Sequence, residues 1–275
     1  EAARLEAQQA GLVLSAAIAS AYADLEQLYE QRDVRADALS IRTASRDLVS
    51  QRRQNGLETQ GSVRSADAEV ASERAALADA DALRAATAVL LLSPMVPLLF
   101  MGEEWGSRQP FLFFTSHHGE LADAVREGRR GEFAEFAEFA DEHTRERIPD
   151  PNAVETYEAS KPDFSKRDEP EHAEWLSLYR HLLQLRHAEI VPRLEGSRFL
   201  GAEALGESAA LARWQLGDRR ELRLELNLSG NDLAVTPAAS TARLLHSSRE
   251  GDSGGTDTIP AHTARMYLLD SAGVS

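Results

Sequence analysis

The first 84 residues contain no proline, and this constrains the chain more than any other feature. Proline removes a backbone donor and clashes with the preceding turn, so its absence over such a length permits long, unbroken helix. Ala, Glu, Gln, Arg and Leu dominate the same stretch, and all are good helix formers. Leu14, Ile18, Tyr22, Leu25 and Tyr29 recur at steps of three and four, which places them on one helical face. Val63, Val70 and Leu77 step by seven, the repeat of a helix packed along a seam. Between these registers, Asn55-Gly56 and Gly61-Ser62 bracket a turn, with Ser62 as the expected N-cap. The pattern predicts an all-α helical hairpin over residues 1–84 with arms of unequal length. The longer arm leaves part of its apolar stripe uncovered, so self-association through the hairpin seam is an expected partnership.

The texture changes near residue 85. "DALRAATAVLLL", residues 81–92, reads as helix and stops at Ser93-Pro94. "MVPLLFM" follows, wholly apolar and without alternation, which predicts a strand buried on both faces as in a parallel sheet or barrel. The loop "GSRQPFLFFTSHHGE" leads to helical sequence at 120–140, then to a polar, proline-bearing stretch at 141–170. Residues 171–190 read as an amphipathic helix, with Trp175, Leu178, Tyr179, Leu182, Leu183 and Leu185 on or near one face. Beyond Pro192 the period shortens to two in "SAALARWQL" and "ELRLELNLSG", and "ARLLHSS" and "ARMYLLD" add two more strands. Residues 193–275 are therefore expected to form an antiparallel β-sandwich.

With 275 residues, of which 43% are hydrophobic, the chain can fill a sizeable core. A net charge of -15 argues against nucleic acid as a partner, because affinity there comes from Lys and Arg neutralising phosphates. The absence of cysteine excludes disulfides, thiolate catalysis and cysteine-based zinc sites, and no cofactor is predicted. The opening "EAARLEAQQA" has neither a basic nor an apolar region of a signal peptide, which leads to a cytoplasmic expectation. "AVLLLSPMVPLLFM" is too short to span a bilayer as a helix and is broken twice by proline.

Two resemblances attach to these segments. "LLSPMVPLLFMGEEWGSRQPFLFFTSH", "ELADAVREGRRGEF" and "IPDPNAVETYEASKPDF" resemble the maltooligosyltrehalose trehalohydrolase family, within the α-amylase clan (glycoside hydrolase family 13). The likeness runs from about residue 83 to the end. It implies that "VPLLFMGEEWG" is the last strand and loop of an incomplete (β/α)8 barrel occupying 85–192, that 171–190 is the last barrel helix, and that 193–275 is a C-terminal β-domain. The implied ligand is maltooligosyl trehalose or a related α-glucan. "SAAIASAYADLEQLYEQRDVRADALSIRTASRDLVSQRRQNGLETQGSVRSADAEVASERAAL" resembles an α-hairpin of outer-membrane efflux channel proteins, and so implies an alternative role as a coiled-coil interaction module. The two likenesses together imply a chimera joined between about Ala80 and Ala88.

Glycosidases need two carboxyl groups facing each other across the scissile bond. Glu103 and Glu104 are adjacent at the end of the expected strand, so their side chains point to opposite sides and do not form that pair. The family resemblance places its catalytic carboxylates upstream of the matched region, and the "NHDQ" segment that it would place before the last barrel helix has no counterpart here. No catalytic residue is therefore assigned, and the chain alone is expected to be inactive. Glu103, Glu104 and Trp105 are expected to wall the sugar site, the carboxylates by accepting hydrogen bonds from hydroxyls and the indole by stacking. Arg108 or the arginines of "REGRR" could instead pair with one glutamate. His117-His118 supplies too few ligands for a metal, and no metal site is predicted. Phe133, Phe136 and Phe139 repeat every three residues and drift around a helix rather than stacking.

Overall fold

A computed structural model describes residues 32–54, 58–132 and 148–270. The face from Leu14 to Tyr29, the Asn55-Gly56 turn and the three phenylalanines of 133–139 lie outside the described residues. Two compact units are present. One is Leu99–Leu176, and the other combines the residues before and after it.

The larger unit begins with two helices, α1 (Arg32–Gln54) and α2 (Gln60–Leu92). They lie side by side, tied by ion pairs from Arg42 to Glu69 and Glu73 and from Arg46 to Asp67. Helix α2 is capped by Thr59, whose hydroxyl accepts the Ser62 N–H at 3.1 Å. Ser62 is therefore inside the first turn and not the cap the sequence suggested. Val63 and Val70 are buried within the single chain, and Leu77 is half-buried. These seam residues thus pack within the single chain, which lends no support to self-association through them. Helix α2 also runs without a break through residues 80–88, where the composition changes.

Its last turns supply the core. Leu83, Ala86, Val89, Leu91 and Leu92 are buried, and the helix lies against strands β3 and β7 of the sheet. The strands are β1 (Arg198–Gly206), β2 (Ala209–Gln215), β3 (Glu221–Asn227), β4 (Leu233–Ala234), β5 (Arg243–Ser247), β6 (Thr258–Ile259) and β7 (Thr263–Leu269). Five form one sheet in the order β1-β2-β3-β7-β5, and β4 pairs with β6. Every strand pair is antiparallel. The registers align Trp214 with Leu222, Leu224 with Met266, and Leu226 with Ala264, so these residues share one apolar face. The opposite face carries Leu211 against Val235 and Ile259 of the small β4–β6 ribbon.

This corrects the expected sandwich. The second layer is a two-stranded ribbon on one face, while a helix covers the other. It also corrects the expected alternation of buried and exposed residues. Arg223, Glu225 and Asn227 of β3 are as buried as the leucines between them, because the ribbon and its loops cover the polar face. Arg265 makes two hydrogen bonds to Asp252, at 2.7 and 2.8 Å, and Arg223 bonds Glu225 at 3.0 Å. Asn227 donates to the Ile259 and Pro260 carbonyls. Buried charges survive only when paired and hydrogen-bonded in this way.

The expected barrel strand is absent. After α2 the chain is extended but makes no ladder, and Val96 and Leu98 are 93% and 88% exposed. The physical reason is pairing. A strand exists through its neighbours' hydrogen bonds, and among the described residues no strand lies beside this run. What fixes its start is Arg186, buried at the end of α5 (Pro170–Leu185) in a π-helical turn (Arg186–Ile190). Its guanidinium donates to the carbonyls of Leu91, Ser93 and Met95. These are orphan carbonyls at and beyond the end of α2, and a cation there complements the helix dipole.

In Leu99–Leu176 lie a 3-10 turn (Glu103–Trp105), α3 (Glu120–Glu132), α4 (Val154–Ala159) and a second 3-10 turn (Phe164–Asp168). The last two occupy the stretch read from the sequence as irregular. Asp150 anchors it, accepting from the Asn152 N–H at 3.0 Å and from Arg126 at 2.9 Å.

Candidate functional site

"GEEWG" folds as a single tight turn between two left-handed glycines. Gly102 has φ 95° and Gly106 has φ 68°. A Cβ on Gly102 would lie 2.7 Å from the Ser107 Cβ, so position 102 requires glycine twice over, for conformation and for space. The Gly102 carbonyl accepts from the Ser107 N–H at 2.8 Å and closes the turn.

Both glutamates serve this turn. Glu103 is 8% exposed and its Oε2 accepts the Phe100 N–H at 3.0 Å. Glu104 is half-buried and its Oε2 accepts the Gly102 N–H at 2.9 Å. Each carboxylate thus turns back on nearby backbone. Trp105 is 2% exposed, with its ring 5.2 Å from that of His172 and 6.0 Å from that of Phe164. Its indole faces the protein interior and not an open sugar surface.

The turn is held from α5. The Nδ1 of His172 lies 2.8 Å from the Trp105 carbonyl, and Trp175 donates its indole N–H to the Glu103 carbonyl at 3.0 Å. His172, Trp175 and Tyr179 recur at steps of three and four on the inward stripe of α5, so one helix face delivers both donors. Sequence reading placed Trp175 on this face but missed His172, which it had no apolar reason to include.

The basic residues find other partners. Arg108 pairs with Glu171 at 3.1 Å. Arg126 binds Asp150 and Asp123, Arg129 binds Glu132, and Arg130 lies 3.6 Å from Glu127. The hydrogen bond that Arg126 donates to Asp150, followed by the charge of Asp150, raises the Arg126 pKa. Asp150 is itself held below the usual carboxylate range, first by the Asn152 N–H. The arginines of "REGRR" are therefore matched to nearby acids. His117 and His118 are exposed, and the His117 backbone N–H donates to Asn152.

The antiparallel C-terminal sheet, the helix before it and the glycine-bracketed turn lie in the part of the chain that is similar to known proteins. A solved structure of a candidate alpha amylase from Salmonella typhimurium superposes on 70% of this chain and 31% of its own, with 35% identity and a TM-score of 0.58. Residues 197–265 match a family described as a domain of unknown function, DUF3459. More particularly, the chain is similar to malto-oligosyltrehalose trehalohydrolases. The Deinococcus radiodurans protein is 48% identical over 104 residues, which are 38% of this chain and 17% of that one. The Rhizobium protein (strain M-11) is 35% identical over 164 residues, 59% of this chain and 26% of that one. The matched part thus spans only 17% and 26% of the length of these two relatives. None of these relatives is an efflux-channel protein.

Proposed function

We propose that this chain is the C-terminal part of a trehalohydrolase-type glycoside hydrolase, acting on maltooligosyl trehalose or a related α-glucan at the α-1,4 bond next to a terminal trehalose. The carrying observation is the 48% identity to the Deinococcus enzyme. In this reading the turn at Glu103–Trp105 borders the glucan. Glu104 offers its carboxylate at the rim, while Trp105, clamped by His172 and Trp175, holds the turn in shape. The acid and the nucleophile come from sequence outside the matched region, so the 275 residues alone release no trehalose. General acid–base transfer by itself typically contributes about 10²–10⁴-fold, which bounds the loss from below.

The test has two arms. Purified chain is assayed for trehalose release from maltooligosyl trehalose, with no turnover expected above a heat-killed control. Residues 83–275 are then grafted into the Deinococcus enzyme in place of its matching segment. A folded hybrid should keep activity within about tenfold, a change in barrier near 1.4 kcal/mol. A folded but inactive hybrid, or turnover by the chain alone, would count against the reading.

A further inference from the structure

We propose that Glu169, Glu171 and His172 form a zinc-binding site at the start of α5, directly beneath the Glu103–Trp105 turn. One donor atom from each residue lies within 4.8 Å of the other two. Nε2 of His172 is 3.7 Å from Oε1 of Glu171, longer than a hydrogen bond. Ligand atoms about 2.0–2.1 Å from a tetrahedral ion stand roughly 3.3–3.4 Å apart, so these groups need only small shifts to converge.

The outer contacts are what select a metal over a plain ion pair. A carbonyl oxygen can only accept, so the 2.8 Å contact to Trp105 puts a proton on Nδ1 of His172 and leaves Nε2 as the nitrogen that can take a metal. Nε2 is also the atom that faces Glu171, and its lone pair is what a metal would engage. Glu171 divides its oxygens in the same way: Oε2 takes Arg108 at 3.1 Å, and Oε1 is turned to the histidine. Bonds of this kind orient metal ligands in known sites. His172 is 4% exposed, Glu171 half-buried and Glu169 exposed, so an ion enters from the Glu169 side with room for water in the fourth position. One imidazole and two carboxylates favour zinc over magnesium or calcium. The first helical turn opposes a cation and so weakens the binding.

The experiment titrates metal-free, untagged full chain with zinc chloride by calorimetry. One ion per chain is expected. Glu169→Gln changes an exposed residue and His172→Ala a buried one, and each should weaken binding by about tenfold or more. His117→Ala combined with His118→Ala should leave binding unchanged. If His172→Ala fails to fold, Glu169→Gln decides the matter. Absence of saturable binding, wild-type affinity in Glu169→Gln, or loss of binding in the His117/His118 variant overturns the site.

Discussion

Gly102 sits at φ 95° with its missing Cβ pointed at Ser107, and the carboxylate two residues on takes up its N–H. Gly102→Ala should therefore destabilise the turn by about 1–3 kcal/mol, the range for a strained non-glycine residue. Urea unfolding followed by tryptophan fluorescence reads this out, and an unchanged midpoint would show that the turn relaxes freely. The glycines and the wall of acids were legible in the sequence. The clamp was not, because its two donors come from His172 and Trp175, which lie 67 and 72 residues downstream. Such a contact leaves no local spacing to read. Trp105 was read as a stacking surface for the same reason: nothing near it in sequence announces the ring of His172.

Among the elements, β2, β3, β5 and β7 were legible from period-two patterning. Strand β1 was missed because Gly201 and Gly206 interrupt "RFLGAEALG", and it pairs through bulges. Strands β4 and β6 have two residues each and carry no period. The run from Met95 to Met101 failed in the opposite sense. Its apolar composition suited a buried strand, but composition does not supply a neighbour. The interface between helices and sheet carries its own pH response. His246 of β5 has its ring 5.7 Å from that of His181 on α5, and its Nε2 is buried without a partner. Burial first, then His181 and Arg84, depress its pKa to about 4 from 6.5. The unfolded chain binds the proton more readily. The contribution of His246 is thus complete above pH 6.5, is lost as pH falls from 6.5 to 4, and changes no further below that. The full shift corresponds to about 3 kcal/mol, and partial exposure of the residue lowers it. His246→Leu should flatten the stability profile across this window when both proteins are unfolded in urea at successive pH values. An unaltered slope would mean that another group carries the response.

At the scale of the whole molecule, protection from hydrogen exchange should be uneven. Strands β3 and β7 have strand neighbours on both sides, an apolar face under α2 and a covered polar face. Their amides should exchange slowest, close to the rate set by global unfolding, while those of α1 exchange faster. That helix leaves Ile41 and Leu48 exposed and is joined to α2 through surface ion pairs. Mass spectrometry of exchanged peptides checks this, and equal protection of α1 and β3 would disprove it. One consequence concerns the continuity of α2. A helix satisfies its own backbone, so what the sheet requires of α2 is the inward face of its last three turns. Any helix-forming sequence could be grafted upstream of Leu83 in the right phase without the sheet registering the exchange. A recombination breakpoint there would fall inside one continuous helix and leave no structural scar.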